Sequence, residues 1–198
     1  MSGEIANSLK LATIAVKPQV VFYSTIERGK LNYGPLLSQI SFTKPDIVIL
    51  AGEYNDAGNL VKDFPKYGLA TARFIGGDGV YHHEFIEIGG KITEGAVVVS
   101  APPIVDKDFI LRYKNHFNHE PTGYSANTYD ATNILIEAIR KVKVNDSEKV
   151  ASVIAGTMNF KGVTGTISFD EKGDLTSRGF VLNKVVGGRF KVIDNGKG

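Results

Sequence analysis

The residues best placed to do chemistry lie in two short clusters that each join a carboxylate to glycine or an aromatic ring. AGEYND, residues 51–56, sets Glu53 beside Tyr54, and GGDGVY, residues 76–81, holds Asp78 among Gly76, Gly77 and Gly79. Glycine brings backbone close to a ligand and has no side chain to cover a neighbouring carboxylate. Asp78 can therefore pair with an ammonium group. Gly-Asp-Gly is also ordinary turn chemistry, in which Asp78 only closes the chain reversal. Tyr54 can likewise wall a ligand pocket or simply pack at a strand end.

Other reactive residue types are sparse. His82-His83 and His116-x-x-His119 carry all four histidines. Either pair can hold a metal, the second by sharing a face at helical spacing, but both pairs read better as exposed helix histidines. FDEKGD, residues 169–174, lacks the spacing and terminal Glu of a twelve-residue calcium loop and reads as a turn. G-x-S-x-G, phosphate-binding GKS/GKT, HExxH and G-x-G-x-x-G patterns do not occur. Cysteine is missing too, which excludes thiolate metal sites and Cys nucleophiles. We expect no catalytic residues, no metal and no cofactor, and read the chain as a non-enzyme.

The elements that must position these loops follow from periodicity. Residues 4–16 place Ile5, Leu9, Ala12 and Val16 on one helical face, and residues 19–24 read as a buried strand. A helix over 33–42 and a strand over 46–51 repeat the pattern. Asn55 or Asp56 can cap the next helix, which carries Leu60, Val61 and Phe64 and ends at Gly68. Strands over 70–75 and 95–100 follow, with a short helix at 84–88 between them and another helix starting near Asp106. Four strand–helix units of this kind predict a flavodoxin-like α/β fold, an open parallel sheet with helices on both faces. Such a sheet places ligands outside the carboxyl ends of its strands, where AGEYND, GGDGVY and SAPP all fall.

The remainder is different in kind. Helices over 124–142 and 147–155 follow one another with no strand between them. Segments 163–169, 180–186 and 189–193 then read as β, the last two joined as a C-terminal hairpin by Gly187-Gly188.

Composition narrows the partners. Of 198 residues 42% are hydrophobic, and 23 basic residues nearly balance 21 acidic ones with no basic run. Nucleic acid is not expected as a partner. The apolar runs fall short of the roughly 18–20 residues of a membrane helix, so no membrane insertion is expected. MSGEIANSLK has neither a basic lead nor a long apolar stretch, so no signal peptide is expected in this chain.

Seven segments, VVFYSTI, DIVILAGEYNDAGNLVKDFPKYGL, FIGGDGV, TEGAVVVSAPP, SANTYDATNILIEAI, TGTISFDEKGDL and GFVLNKVVGGRF, occur in an order that resembles the type I periplasmic solute-binding proteins of ABC transporters, the branched-chain (Leu/Ile/Val) amino-acid branch. The resemblance covers nearly the whole chain and matches the carboxy-terminal part of that family. It implies a periplasmic or extracytoplasmic parent, an ABC transporter permease as partner of the full-length form, and an amino-acid ligand. It also implies that Tyr54 lines the ligand site and that Asp78 meets the substrate's α-ammonium, with Glu53 and Gly77 beside them. Well-known leucine binders have Glu where this chain has Asp78, one methylene shorter, and a family Tyr before the first helix falls at Met1.

On this resemblance residues 1–120 and 175–198 form the family's carboxy-terminal lobe, and 121–174 belong with a first lobe that should precede residue 1. Half of a site implies weak or lost amino-acid binding. The stripe Ala131, Ile134, Leu135, Ala138 and Ile139 would then be exposed, and a homodimer through the 124–142 helix is expected to bury it. Against this stands a flavodoxin-like receiver, for which Glu27 and Asp78 are a poor acidic set, or an interaction domain that uses the long helix and has no amino-acid ligand.

Overall fold

The structure, a computed structural model, describes residues 19–102, 104, 106–121, 124–176 and 180–194. The helix expected at 4–16 and the family Tyr position at Met1 lie outside these residues. Three parallel strands carry the sheet: Ile47–Leu50 (β1), Arg73–Gly76 (β2) and Val97–Ser100 (β3). Helices Gly34–Phe42 (α1), Tyr54–Val61 (α2) and His83–Gly89 (α3) precede or connect them. Next come Lys107–Phe117 (α4), Ser125–Val142 (α5) and Ser147–Ala155 (α6). Strands Phe160–Gly162 (β4) and Gly165–Ile167 (β5) form a separate antiparallel pair, and Val181–Val185 (β6) and Phe190–Asp194 (β7) complete the main sheet. Its order is β1-β2-β3-β6-β7, with β6 and β7 antiparallel.

The parallel strands form because short β-branched runs, IVIL and VVVS, alternate with helices that bring the chain back to the starting edge. One face of the sheet presents Leu50, Phe74, Ala96 and Val98 to the core. Against them pack Leu60 and Val61 of α2 and Phe85 of α3, with Phe74 stacked on Phe85 at 5.5 Å between centroids. On the opposite face Ile47 and Ile49 are 47% and 43% exposed. The hairpin turn expected at Gly187-Gly188 is present, with φ of 62° and 71° at the two residues, values that glycine adopts without strain.

Two compact units divide the described residues: one runs to Ser100 and resumes over Leu182–Asp194, and the other spans Ala101–Val181. The division falls at Ala101 and Leu182, where the sequence reading set it at 121 and 175. Phe109 explains the first difference, because its ring lies 5.3 Å from that of Tyr129 and joins α4 to α5.

Other expectations shift as well. Residues 19–24 form no strand: Val20, Val21 and Tyr23 are 45–54% exposed, and β1 is the last strand on that side of the sheet. A β-rich composition becomes a strand only by pairing. The parallel strands therefore number three among the described residues. Neither Asn55 nor Asp56 caps α2, whose N-cap is Glu53, and Gly68 ends a separate 3-10 turn over Phe64–Tyr67. The single strand expected at 163–169 is instead the β4–β5 hairpin.

That hairpin is tied to α5 by one side chain. Asp130, 2% exposed, accepts the backbone N–H groups of Val163 and Thr164 at 2.8 Å each, and the Thr164 hydroxyl. Asp130→Ala leaves these donors buried without an acceptor and should cost about 2–4 kcal/mol in urea unfolding followed by circular dichroism. Thr164→Val, which removes only the hydroxyl, should cost about 1 kcal/mol. Equal losses for the two variants would show that the carboxylate is not the anchor.

Candidate functional site

Parallel pairing brings the two singled-out loops together. Leu50 is in register with Gly76, and the Gly77 N–H donates to Leu50 O at 2.9 Å, so the ladder continues one residue past β2. The chains leave the same edge side by side: Ala51 to Tyr54 from β1, and Gly77 to His82 from β2. A Cβ built on Gly79 would meet Gly52 O at 2.6 Å, closer than atoms of this kind approach, so only glycine lets the loops touch here. The same Cβ would lie 3.5 Å from Glu53 Oε2.

Each predicted site residue has a defined place on this ledge. Tyr54 begins α2 and is half-buried. Glu53, also half-buried, meets Arg28 Nη2 at 3.3 Å. Gly77 N-caps the short 3-10 turn Asp78–Val80, and the Asp78 Oδ1 accepts the N–H of Gly79 at 3.0 Å. Asp78 is exposed. The third loop contributes differently. Ser100 is 3% exposed, and the buried Asn183 amide donates to its Oγ at 2.8 Å, so its hydroxyl is taken up in joining β3 to β6.

Three further residues belong to this edge and were not singled out as site residues from the sequence. His82 stacks on Tyr54 with centroids 4.3 Å apart and planes 27° apart, and its Nδ1 accepts the Glu84 N–H at 3.4 Å as the N-cap of α3. Arg28 is the cation beside Glu53. Asp56, 1% exposed, accepts the Gly29 N–H at 2.8 Å and the Tyr33 hydroxyl at 2.9 Å, which holds the loop bearing Arg28 against α2. Only the acidic type of Asp56 in the first turn was visible beforehand, and it suggested a cap. The pair His116 and His119 does not share a helix face, because α4 ends at Phe117 and Asn118 turns left-handed with φ 58°.

The model of the family described as periplasmic binding protein matches residues 3–189. A Leu/Ile/Val-binding protein homolog of Brucella abortus is 30% identical over 166 residues, 82% of this chain and 44% of that protein. A Pseudomonas aeruginosa protein that binds leucine, isoleucine, valine, threonine and alanine is 28% identical over 90% of this chain and 48% of its own length. Among solved structures, a leucine-binding protein of Thermotoga maritima superposes with a TM-score of 0.72 at 31% identity, covering 84% of this chain and 49% of that one. The branched-chain amino-acid transporter binding protein of Streptococcus pneumoniae, solved with isoleucine, shares the fold at a TM-score of 0.76 and 23% identity. The chain spans about half the length of the relatives it matches. No helix among the described residues is long and apolar enough to cross a membrane.

The Asp56–Tyr33 contact yields a pH dependence. Burial first, then the hydrogen bond to Asp56 and the charges of Asp56 and Glu27, push the Tyr33 hydroxyl up to about 12. The folded state thus keeps a proton that the unfolded state releases near pH 10, so this stabilisation is full below about pH 10 and is lost as pH rises to about 12. In a rapid pH-jump monitored by tyrosinate absorbance, wild type should show late-ionising tyrosines, Tyr33 together with Tyr81, whose hydroxyl burial also pushes up, and Tyr33→Phe should show one fewer. An unchanged late phase in Tyr33→Phe would refute the assignment.

Proposed function

The chain belongs to the periplasmic binding protein family, and from that premise we propose that its first unit carries one side of an amino-acid site of the branched-chain transporter type. The observation that carries this reading is the ledge itself: Glu53 and Tyr54 from one strand end lie beside Gly77 and Asp78 from the next. Asp78, an exposed carboxylate on a glycine turn, meets the ligand's α-ammonium. Tyr54 forms an apolar wall. Glu53 is occupied by Arg28 and shapes the rim, and Gly77 lets the ligand approach the backbone. One methylene less at Asp78 than in the Glu of leucine binders sets the ammonium closer to the strand ends.

In a longer protein with a complementary lobe, the two sides would close on the solute, and an ABC transporter permease would read the closed form. The second unit, 101–181, is the share of these residues that belongs with the complementary lobe. Of the stripe expected to be exposed on α5, Ile134 and Ala138 are buried and Leu135 and Ile139 are 43% and 50% exposed, and pairing of this helix in a homodimer would cover the exposed pair.

For these 198 residues alone, leucine should bind only in the millimolar range or weaker, about 4 kcal/mol. NMR titration should move the amides of Tyr54, Gly77 and Asp78, and Asp78→Ala should abolish those shifts. Shifts elsewhere with these loops silent would overturn the site; micromolar affinity in calorimetry would overturn the one-sided reading. Sedimentation should find a dimer that Leu135→Glu/Ile139→Glu converts to monomer, and a wild-type monomer at every concentration would refute the pairing.

A further inference from the structure

We propose that His82, His83 and Glu84 form a site for a borderline divalent transition ion, such as Zn2+ or Ni2+, a property separate from solute binding. One ligand atom from each residue lies within 4.8 Å of the others. Neighbours in a regular strand point to opposite faces, and neighbours in a helix point about 100° apart. Here the chain changes from one geometry to the other: His82 is extended, with φ −147° and ψ 144°, and His83 and Glu84 begin α3. That change of direction lets three consecutive side chains converge.

The donor set defines the ion. Two imidazole nitrogens with one carboxylate oxygen suit zinc, nickel or copper, whereas magnesium and calcium prefer oxygen alone. Ligand bonds of about 2.1 Å set donors about 3.4 Å apart around a tetrahedral ion, so the three groups must draw in from their present spacing. His83 is exposed and Glu84 half-buried, and rotation about their side-chain bonds supplies this movement. His82 is the fixed member. Its ring stacks on Tyr54, with centroids 4.3 Å apart, and lies beside the tilted ring of His83, at 4.4 Å.

Ligation through His82 Nε2 requires Nδ1 to carry the proton, which ends the bond from the Glu84 N–H. That bond is long, at 3.4 Å, and therefore weak. Three protein ligands leave one position for water or for a single donor atom of a small ligand, the arrangement of open rather than structural metal sites. His116 and His119 provide an internal control: they are the other two histidines of the chain, both exposed and placed outside a common helix face.

Titration with Zn2+ by calorimetry, and with Co2+ by its visible absorption, should show one ion per chain. His82→Ala and His83→Ala should each weaken binding roughly tenfold or more, by analogy with the tenfold to hundredfold cost of losing even a supporting group. His116→Ala/His119→Ala should leave it unchanged. Since His82 also caps α3, a second measurement uses the unaltered chain: paramagnetic Ni2+ should broaden the NMR signals of His82, His83 and Tyr54 at the lowest ion concentrations. Absence of saturable binding, retention of affinity in His82→Ala/His83→Ala, or first broadening at His116 and His119 would each overturn the site. None of these readouts involves an amino acid, so the site and the solute-binding reading fail or survive separately.

Discussion

The position of every candidate site residue depends on the register of one parallel strand pair. Leu50 opposite Gly76, continued by the Gly77 N–H bond to Leu50 O, makes β1 and β2 end at the same level. A slip of one residue would turn Phe74 and Leu50 away from the core, so the hydrophobic pattern that buries them also fixes where the loops begin. Glu53, Tyr54, Gly77 and Asp78 inherit their adjacency from that pattern. Nothing in their own chemistry would bring residues more than twenty positions apart together. Gly79 then allows the last approach, since a methyl group there would force the Gly52 carbonyl back.

Two buried carboxylates perform the complementary task of fixing irregular chain. A charged group removed from water must recover its solvation from the protein. Asp56 recovers it from the Gly29 N–H and the Tyr33 hydroxyl, and Asp130 from two backbone N–H groups and a hydroxyl on the turn of the β4–β5 hairpin. In each case a helix donates the acid and a distant loop donates the hydrogens. The Gly29 loop has no ladder of its own and relies on its carboxylate, whereas the turn at Val163 and Thr164 is closed by the β4–β5 ladder and held in addition by Asp130. For the first unit this means that Arg28 reaches Glu53 because Asp56 holds the loop on which Arg28 sits.

This division between ladder and carboxylate explains what the sequence made legible. Helices α1, α5 and α6, strands β1, β3, β6 and β7, and the Gly187-Gly188 turn are local patterns of period and turn chemistry, and they were readable from residue types. The loops on either side of β1 and β2 were also readable, because a parallel sheet places its ligands at strand ends. What could not be read depended on distant partners. Residues 19–24 have strand composition yet lack a ladder, and the turn of the β4–β5 hairpin is held by Asp130, more than thirty positions away. His82 looked like a surface histidine until its stacking on Tyr54 was seen, a contact between residues on different strand ends. The break at Asn118, which separates His116 from His119, required a left-handed residue that asparagine permits and does not announce.

The same geometry bears on how far a single ledge can act alone. A small ligand loses translational and rotational freedom once, at a cost of about 4 kcal/mol or more, however many contacts it makes. Contacts from one side must offset the whole of that cost before any affinity appears, and contacts from a second side then add to the surplus. Affinity therefore rises more steeply than contact number, and one side of a two-sided site retains far less than half of the binding free energy. Asp78 illustrates the point: exposed on its turn, its attraction to an ammonium is weakened by water. An opposing lobe would exclude that water and strengthen the interaction without altering an atom of the ledge. On this argument the residues that recognise a solute can be in place, correctly spaced and rigidly supported, while selectivity and affinity arise only when the site is closed.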